Sequence, residues 1–143
     1  MRTPAPVQQT ALVRILRMQA DMIREILELP LSRPMRLDSH WKRRVQKVAE
    51  TLLRRTRLIA FGTPCELLEI EFYCHGPSHP DPFAHCHPMQ AEQGRWYFHR
   101  VGSGYRNGTY KGLDITFGSN GIFGGILIRS LRLPTQRVVN GPS

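Results

Sequence analysis

The chain changes its apolar periodicity once, at Arg57, and that change limits what it can fold into. Before it, apolar residues recur every three or four positions. From Thr10 to Leu29 they fall at Leu12, Ile15, Leu16, Ile23, Ile26 and Leu27, and Pro30 ends the stripe. A second stripe, Trp41, Val45, Val48, Ala49, Leu52 and Leu53, follows Asp38 and Ser39, either of which can cap a helix. After Arg57 the pattern becomes extended. Leu58 to Phe61 reads as a strand and Gly62-Thr63-Pro64 as a turn. Glu66 to Tyr73 alternates, with Leu68, Ile70 and Phe72 on one side and Glu69, Glu71 and Tyr73 on the other. Further strands are predicted at Arg95 to His99, Thr109 to Phe117 and Gly125 to Leu131. The clusters Gly102-Ser103-Gly104, Gly118 to Gly121 and Gly124-Gly125 read as hairpin turns, because none opens a helix as a phosphate-binding loop would. Helices before strands predict an α+β fold, two N-terminal helices packed on a mainly antiparallel, curved β-sheet.

A length of 143 residues fits one domain. Its expected parts are a flexible start (1–9), a basic helical part (10–57), a β-rich part (58–132) and an irregular tail (133–143). No apolar run reaches the roughly 20 residues needed to cross a bilayer, so no membrane partner is expected, and the protein is expected to be a monomer. Met1 to Gln9 has no apolar segment of the kind a secretory signal carries. Three unevenly spaced cysteines argue for a reducing compartment. The expected location is therefore intracellular, in a nucleus or nucleoid. Residues 1–20 carry Arg2, Arg14 and Arg17 and no acid, which keeps a mitochondrial address open.

Charge divides the chain. Residues 1–60 hold 13 Arg and Lys against 5 Asp and Glu, and residues 61–143 hold 7 against 6. A basic half beside a nearly neutral one fits either a polyanion partner or an arginine-rich solvated helix surface. Lys42, Arg43, Arg44 and Lys47 on the second helix are the candidate contacts to a phosphate backbone.

Three features could carry chemistry. Glu69 and Glu71 share a strand face with Cα atoms ~6.5–7 Å apart, a spacing that suits general acid/base work, and Tyr73 is on the same face. The loop that follows carries Cys74, His75, His79, His85, Cys86 and His87. Imidazole and thiolate are the usual zinc ligands, but the spacing matches no paired motif and four prolines stiffen the loop, so no metal is expected. Arg129 lies inside the apolar run Gly125 to Leu131 and needs a partner, for which Glu71 and Glu69 are available.

The order of these motifs resembles that of the methylpurine (3-methyladenine) DNA glycosylases of the alkyladenine class. Glu66-Leu67-Leu68-Glu69-Ile70-Glu71-Phe72-Tyr73 looks like their strand ending in Glu-x-Glu-Ala-Tyr, and Asp81-Pro82-Phe83-Ala84-His85 like their Asp-x-x-Ala-His. Gly108-Thr109, Phe117-Gly118 and Leu127-Ile128-Arg129-Ser130-Leu131 resemble the family's later glycine turn, Tyr-Gly and Leu-Ile-Arg-Ala-Leu. The resemblance covers roughly Val48 to Leu131.

It implies a base-excision repair glycosylase that binds double-stranded DNA containing alkylated or deaminated purines and needs no cofactor. Glu71 would be the general base that activates water at the N-glycosidic bond. Tyr73, His85, Arg129 and Asp114 would line the pocket for the flipped base. Asp114 stands where the family has a stacking aromatic, and Phe117 where it has the tyrosine wedge that fills the gap left in the duplex. The family continues for about a further third beyond the motif corresponding to Gly141-Pro142-Ser143. Two other readings fit the residues: a non-catalytic nucleic-acid-binding relative, and a metal-binding protein built on the His/Cys loop.

Overall fold

The computed structural model describes residues 39–82, 84–101, 109–119 and 121–141, with the backbone alone at residues 40, 100, 101 and 109–111. Helix α1 (Ser39–Arg55) forms where the second stripe predicts it. Val48 and Leu52 are buried and Trp41 and Leu53 pack beside them, so the apolar stripe faces inward. Arg54 and Arg55 lie in the last turn, where the partial negative charge of the free carbonyls favours cations. The Thr56 hydroxyl donates to the Leu52 carbonyl at 2.6 Å and satisfies one of those carbonyls. The Thr10 to Leu29 stripe lies outside the described residues.

Among the described residues six strands follow: β1 (Leu58–Ala60), β2 (Thr63–His75), β3 (Trp96–Val101), β4 (Thr109–Thr116), β5 (Phe123–Arg132) and β6 (Val138–Asn140). All pairings are antiparallel, in the order β1-β2-β5-β4-β3. One edge of β5 pairs with β2 along its whole length. The other is shared, with β4 opposite Gly125 to Leu127 and β6 opposite Ser130 to Arg132.

Three expectations are corrected. The α+β arrangement with two N-terminal helices gives way, in the described residues, to one helix against a curled antiparallel sheet of six strands, mostly sheet. The physical reason is that β2 and β5 run 13 and 10 residues, further than the alternation alone shows, and α1 packs on their buried face. The tail is not irregular throughout, because Val138–Asn140 adds to the free edge of β5. The turn into β2 is Phe61-Gly62, with both residues at positive φ (50° and 77°), so Thr63 already pairs with Ala60. A two-residue hairpin of this kind matches the natural twist of the strands.

The core lies between α1 and one face of the sheet. Leu67, Cys74, Ile115, Phe117, Ile122, Ile126 and Ile128 pack with Val48 and Leu52. Phe117 sits at its centre, wholly buried, with ring centroids 6.3 Å from Trp41 and 6.1 Å from Phe72. Truncating such a ring costs about 3–5 kcal/mol.

Gly124-Gly125 is another correction, since the pair lies inside β5 rather than in a turn. Successive strand residues point to opposite faces, and each glycine makes room for one ring. A Cβ on Gly124 would stand 2.6 Å from the Phe117 ring, on the helix face. A Cβ on Gly125 would stand 2.3 Å from the Tyr73 hydroxyl oxygen, on the other. Tyr73 can lie flat across β5 only because residue 125 has no side chain.

Candidate functional site

The face of the sheet turned away from α1 gathers polar and aromatic side chains. Register decides which residues share it. Glu71 and Asp114 both lie opposite Leu127, and Tyr97 lies opposite Asp114. Tyr73 and Thr116 lie opposite Gly125, one step along in the same parity. Ile70, Phe72 and Cys74 take the helix face, so Glu71 and Tyr73 take this one.

Two compensating irregularities set the position of Arg129. Between Leu67 and Glu69 the pairing skips Leu68, and between Glu69 and Ile70 it skips Arg129 on β5. Bulges re-aim side chains. Arg129 reaches Glu71 rather than Glu69, with Nη1 3.5 Å from Oε2. The Glu71 side chain is 57% exposed, so its second oxygen can meet water or a ligand.

Asp114 anchors a second group. It is 0% exposed. Its Oδ2 accepts the Tyr73 hydroxyl and faces His99 Nε2 at 2.6 Å, while Oδ1 has no hydrogen-bond partner among the described residues. Asp114 therefore cannot act as a stacking surface; it holds two rings in place. Gln90, also 0% exposed, donates from Nε2 to the Tyr73 oxygen and accepts the His87 backbone N–H at 2.9 Å through Oε1. A short 3₁₀ turn (Pro88–Ala91), capped by His87, carries Gln90 over the sheet. Burial first, then the bond to Asp114 and its charge, push the Tyr73 phenol far above the ordinary tyrosine range; the Gln90 bond offsets part of this. Tyr97 is raised by burial and by the Asp114 charge.

Aromatic rings wall this group. His85 Nδ1 lies 3.2 Å from His99 Nδ1, with the ring centroids 4.7 Å apart. Tyr97 meets His99 edge-on at 5.0 Å and stacks with His87 at 5.0 Å. The loop that brings His85 is held at its start by His75, whose Nδ1 accepts the Asp81 backbone N–H at 3.0 Å.

Of the residues singled out in the sequence, the structure brings Glu71, Tyr73, His85, Asp114 and Arg129 to one face. Phe117 is a correction. It is wholly buried on the opposite face and fills the core, so it is not a wedge that could enter a duplex. Lys42, Arg43, Arg44 and Lys47 lie on α1, across the sheet from Glu71. A cleft of ≈ 380 Å³ on that side, lined by Trp41, Lys42, Val45 and Phe72 among others, shares only Tyr73 with the network. The histidines of the 74–87 loop are used separately, and among the described residues no three His, Cys, Asp or Glu side chains group to hold a metal ion. Cys74 is buried under the sheet, its thiol pushed up to about 12 by burial and the Asp81 charge.

No family model matches the chain. No solved structure matches it. It is similar to an uncharacterized protein of Acanthamoeba polyphaga mimivirus, with 38% identity over 110 residues. Those residues are 66% of this chain and 51% of that protein, so the chain spans about half the length of that relative.

His99, Tyr97 and Gln90 are the residues sequence reasoning missed. Tyr97 and His99 carry a signal, two ring residues at alternate positions of one strand and hence on one face. Gln90 carries none, since its role depends on a loop folding back over β2.

Proposed function

We propose that this protein is a DNA-binding glycosylase-like hydrolase that cleaves the N-glycosidic bond of alkylated or deaminated purines, with Glu71 as the general base. The observation that carries the reading is the sharing of one sheet face by Glu71, Arg129, Tyr73 and the His85–His99 pair. A water beside the exposed oxygen of Glu71 gives up its proton as it attacks the sugar carbon, and the departing base takes the bond electrons. Arg129 orients the carboxylate. The rings of Tyr73, Tyr97 and His85 offer π-faces for a purine, and base–aromatic stacking contributes about 1–3 kcal/mol per base. Flipping is needed because the bond is unreachable inside a stacked duplex.

The cations of α1 lie on the far face. Their part is therefore attraction of the polyanion rather than a grip on the phosphates beside the flipped base.

The test is incubation of the full chain with duplexes carrying a single hypoxanthine, 1,N6-ethenoadenine or 7-methylguanine, followed by cleavage of the abasic sites formed. Strand breaks at the lesion above the protein-free background are the expected result. Background levels on all three duplexes overturn the proposal.

A further inference from the structure

The hydrogen bonds around Asp114 form a chain whose donors follow link by link once Asp114 is taken as a carboxylate and the two imidazoles as neutral. It begins at the His87 backbone N–H, which can only donate and points to Gln90 Oε1 at 2.9 Å. That fixes the Gln90 amide, so its Nε2 is the donor to the Tyr73 oxygen. Tyr73 then spends its one proton on Asp114 Oδ2. A carboxylate has no proton to return, so His99 Nε2, 2.6 Å from the same oxygen, carries one. A neutral imidazole has one donor and one acceptor. His99 Nδ1 is therefore the acceptor, and His85 Nδ1, 3.2 Å away, is the donor. The same counting applied to His85 leaves its Nε2 with a lone pair.

That lone pair is on the surface. The His85 side chain is exposed, and its Nε2 has no hydrogen-bond partner among the described residues. The Asp114 end of the chain is also hard to reverse. Asp114 is fully buried with Oδ1 unbonded among the described residues, so Tyr73 and His99 supply its only donors there, and turning either away would strand a buried carboxylate.

We propose that Asp114 and His99 are positioning residues that fix His85 as a hydrogen-bond acceptor, making His85 the specificity-determining residue for a ligand edge that presents an N–H. Hypoxanthine offers such an edge at its N1–H; 1,N6-ethenoadenine offers only acceptors there. The inference rests on the proposed function for the identity of the ligand as a purine, and not for the state of the histidines.

The test has two arms. In the first, the full chain labelled with ¹⁵N-histidine is examined by long-range ¹H–¹⁵N correlation at neutral pH without ligand. The expected result is His99 protonated on Nε2 and His85 on Nδ1. In His99→Gln, which keeps a donor for Asp114 but loses the partner of His85, the His85 proton moves to Nε2. A His85 already protonated on Nε2 in the wild type, or one unchanged in His99→Gln, overturns the relay. In the second arm, binding of duplexes carrying hypoxanthine or 1,N6-ethenoadenine is compared. Wild type favours hypoxanthine, and His85→Leu lowers that preference up to about tenfold, the span of one hydrogen bond. Equal affinities in the wild type overturn the selectivity. The first arm needs no ligand and no turnover, so absence of base release in any assay would count against the proposed function and leave the relay standing.

Discussion

Glu71 and Asp114 stand on either side of Leu127, on one face of the sheet, yet in opposite surroundings. Two strand spacings put their backbones about 9–10 Å apart. Glu71 is more than half exposed and meets a guanidinium. Asp114 is closed off and, among the described residues, is hydrogen-bonded to a phenol and an imidazole. Glu71 is therefore open to what arrives, and Asp114 orients its neighbours.

The orienting role predicts the response of Tyr73→Phe. Loss of the hydroxyl leaves Gln90 Nε2 without its acceptor and Asp114 with one donor fewer. The expected loss of stability is about 1–3 kcal/mol, read from the urea midpoint. A change within error would mean that these buried groups find other partners.

Gly125→Ala isolates the same ring from the other side. The added methyl collides with Tyr73, so the ring must leave Asp114. We expect about 1–3 kcal/mol of destabilisation from overpacking, together with altered ¹⁵N signals of His99, which does not touch residue 125 directly. Stability lost without any change at His99 would contradict the chain of bonds.

Alkali should weaken the fold. The Cys74 thiol is raised from 9.0 to about 12, and the Tyr73 phenol rises as well. Above pH 9.0 the unfolded thiol gives up its proton while the folded one keeps it, so the unfolded state binds fewer protons and stability falls as pH rises. The urea midpoint should be flat through neutral pH and decline between pH 9.0 and about 12. A Cys74→Ala variant should show a shallower decline. An identical slope in that variant would assign the effect to other groups.

Much of the scaffold was legible in the sequence, and the reasons are particular. Trp41, Val48 and Leu52 recur at helical spacing and do face the core. The alternation of Ile70 and Phe72 against Glu71 and Tyr73 set the latter pair on the opposite side, but Leu68, expected beside Ile70, falls at the bulge and Leu67 is buried in the core instead. What stayed hidden depends on contacts distant in the chain. Gly124-Gly125 looks like a turn until the rings of Phe117 and Tyr73 are seen above and below it. Phe117 looks like a wedge until α1 covers it. Gln90 joins the site through a loop whose course no periodicity encodes.

Basic residues on α1 should govern salt dependence without governing chemistry. Lys42, Arg43 and Lys47 are exposed and lie across the sheet from Glu71. If all three neutralise phosphates, replacing them by Gln should lower the slope of log affinity against log salt by roughly 0.9 for each phosphate no longer neutralised. Single-turnover base release at saturating protein should be unchanged. A slower single-turnover rate would mean that the helix reaches the reacting nucleotide.

Turnover as proposed depends on Glu71 acting as the base, and its direct test is single-turnover release of hypoxanthine from duplex DNA by wild type and Glu71→Gln. Arg129 and Glu71 form a partly exposed pair, worth about 0–1 kcal/mol, so the variant should fold and bind DNA as the wild type does. A general base contributes about 10²–10⁴-fold, and a loss of that order is the expected result. Equal rates in the two proteins would contradict it.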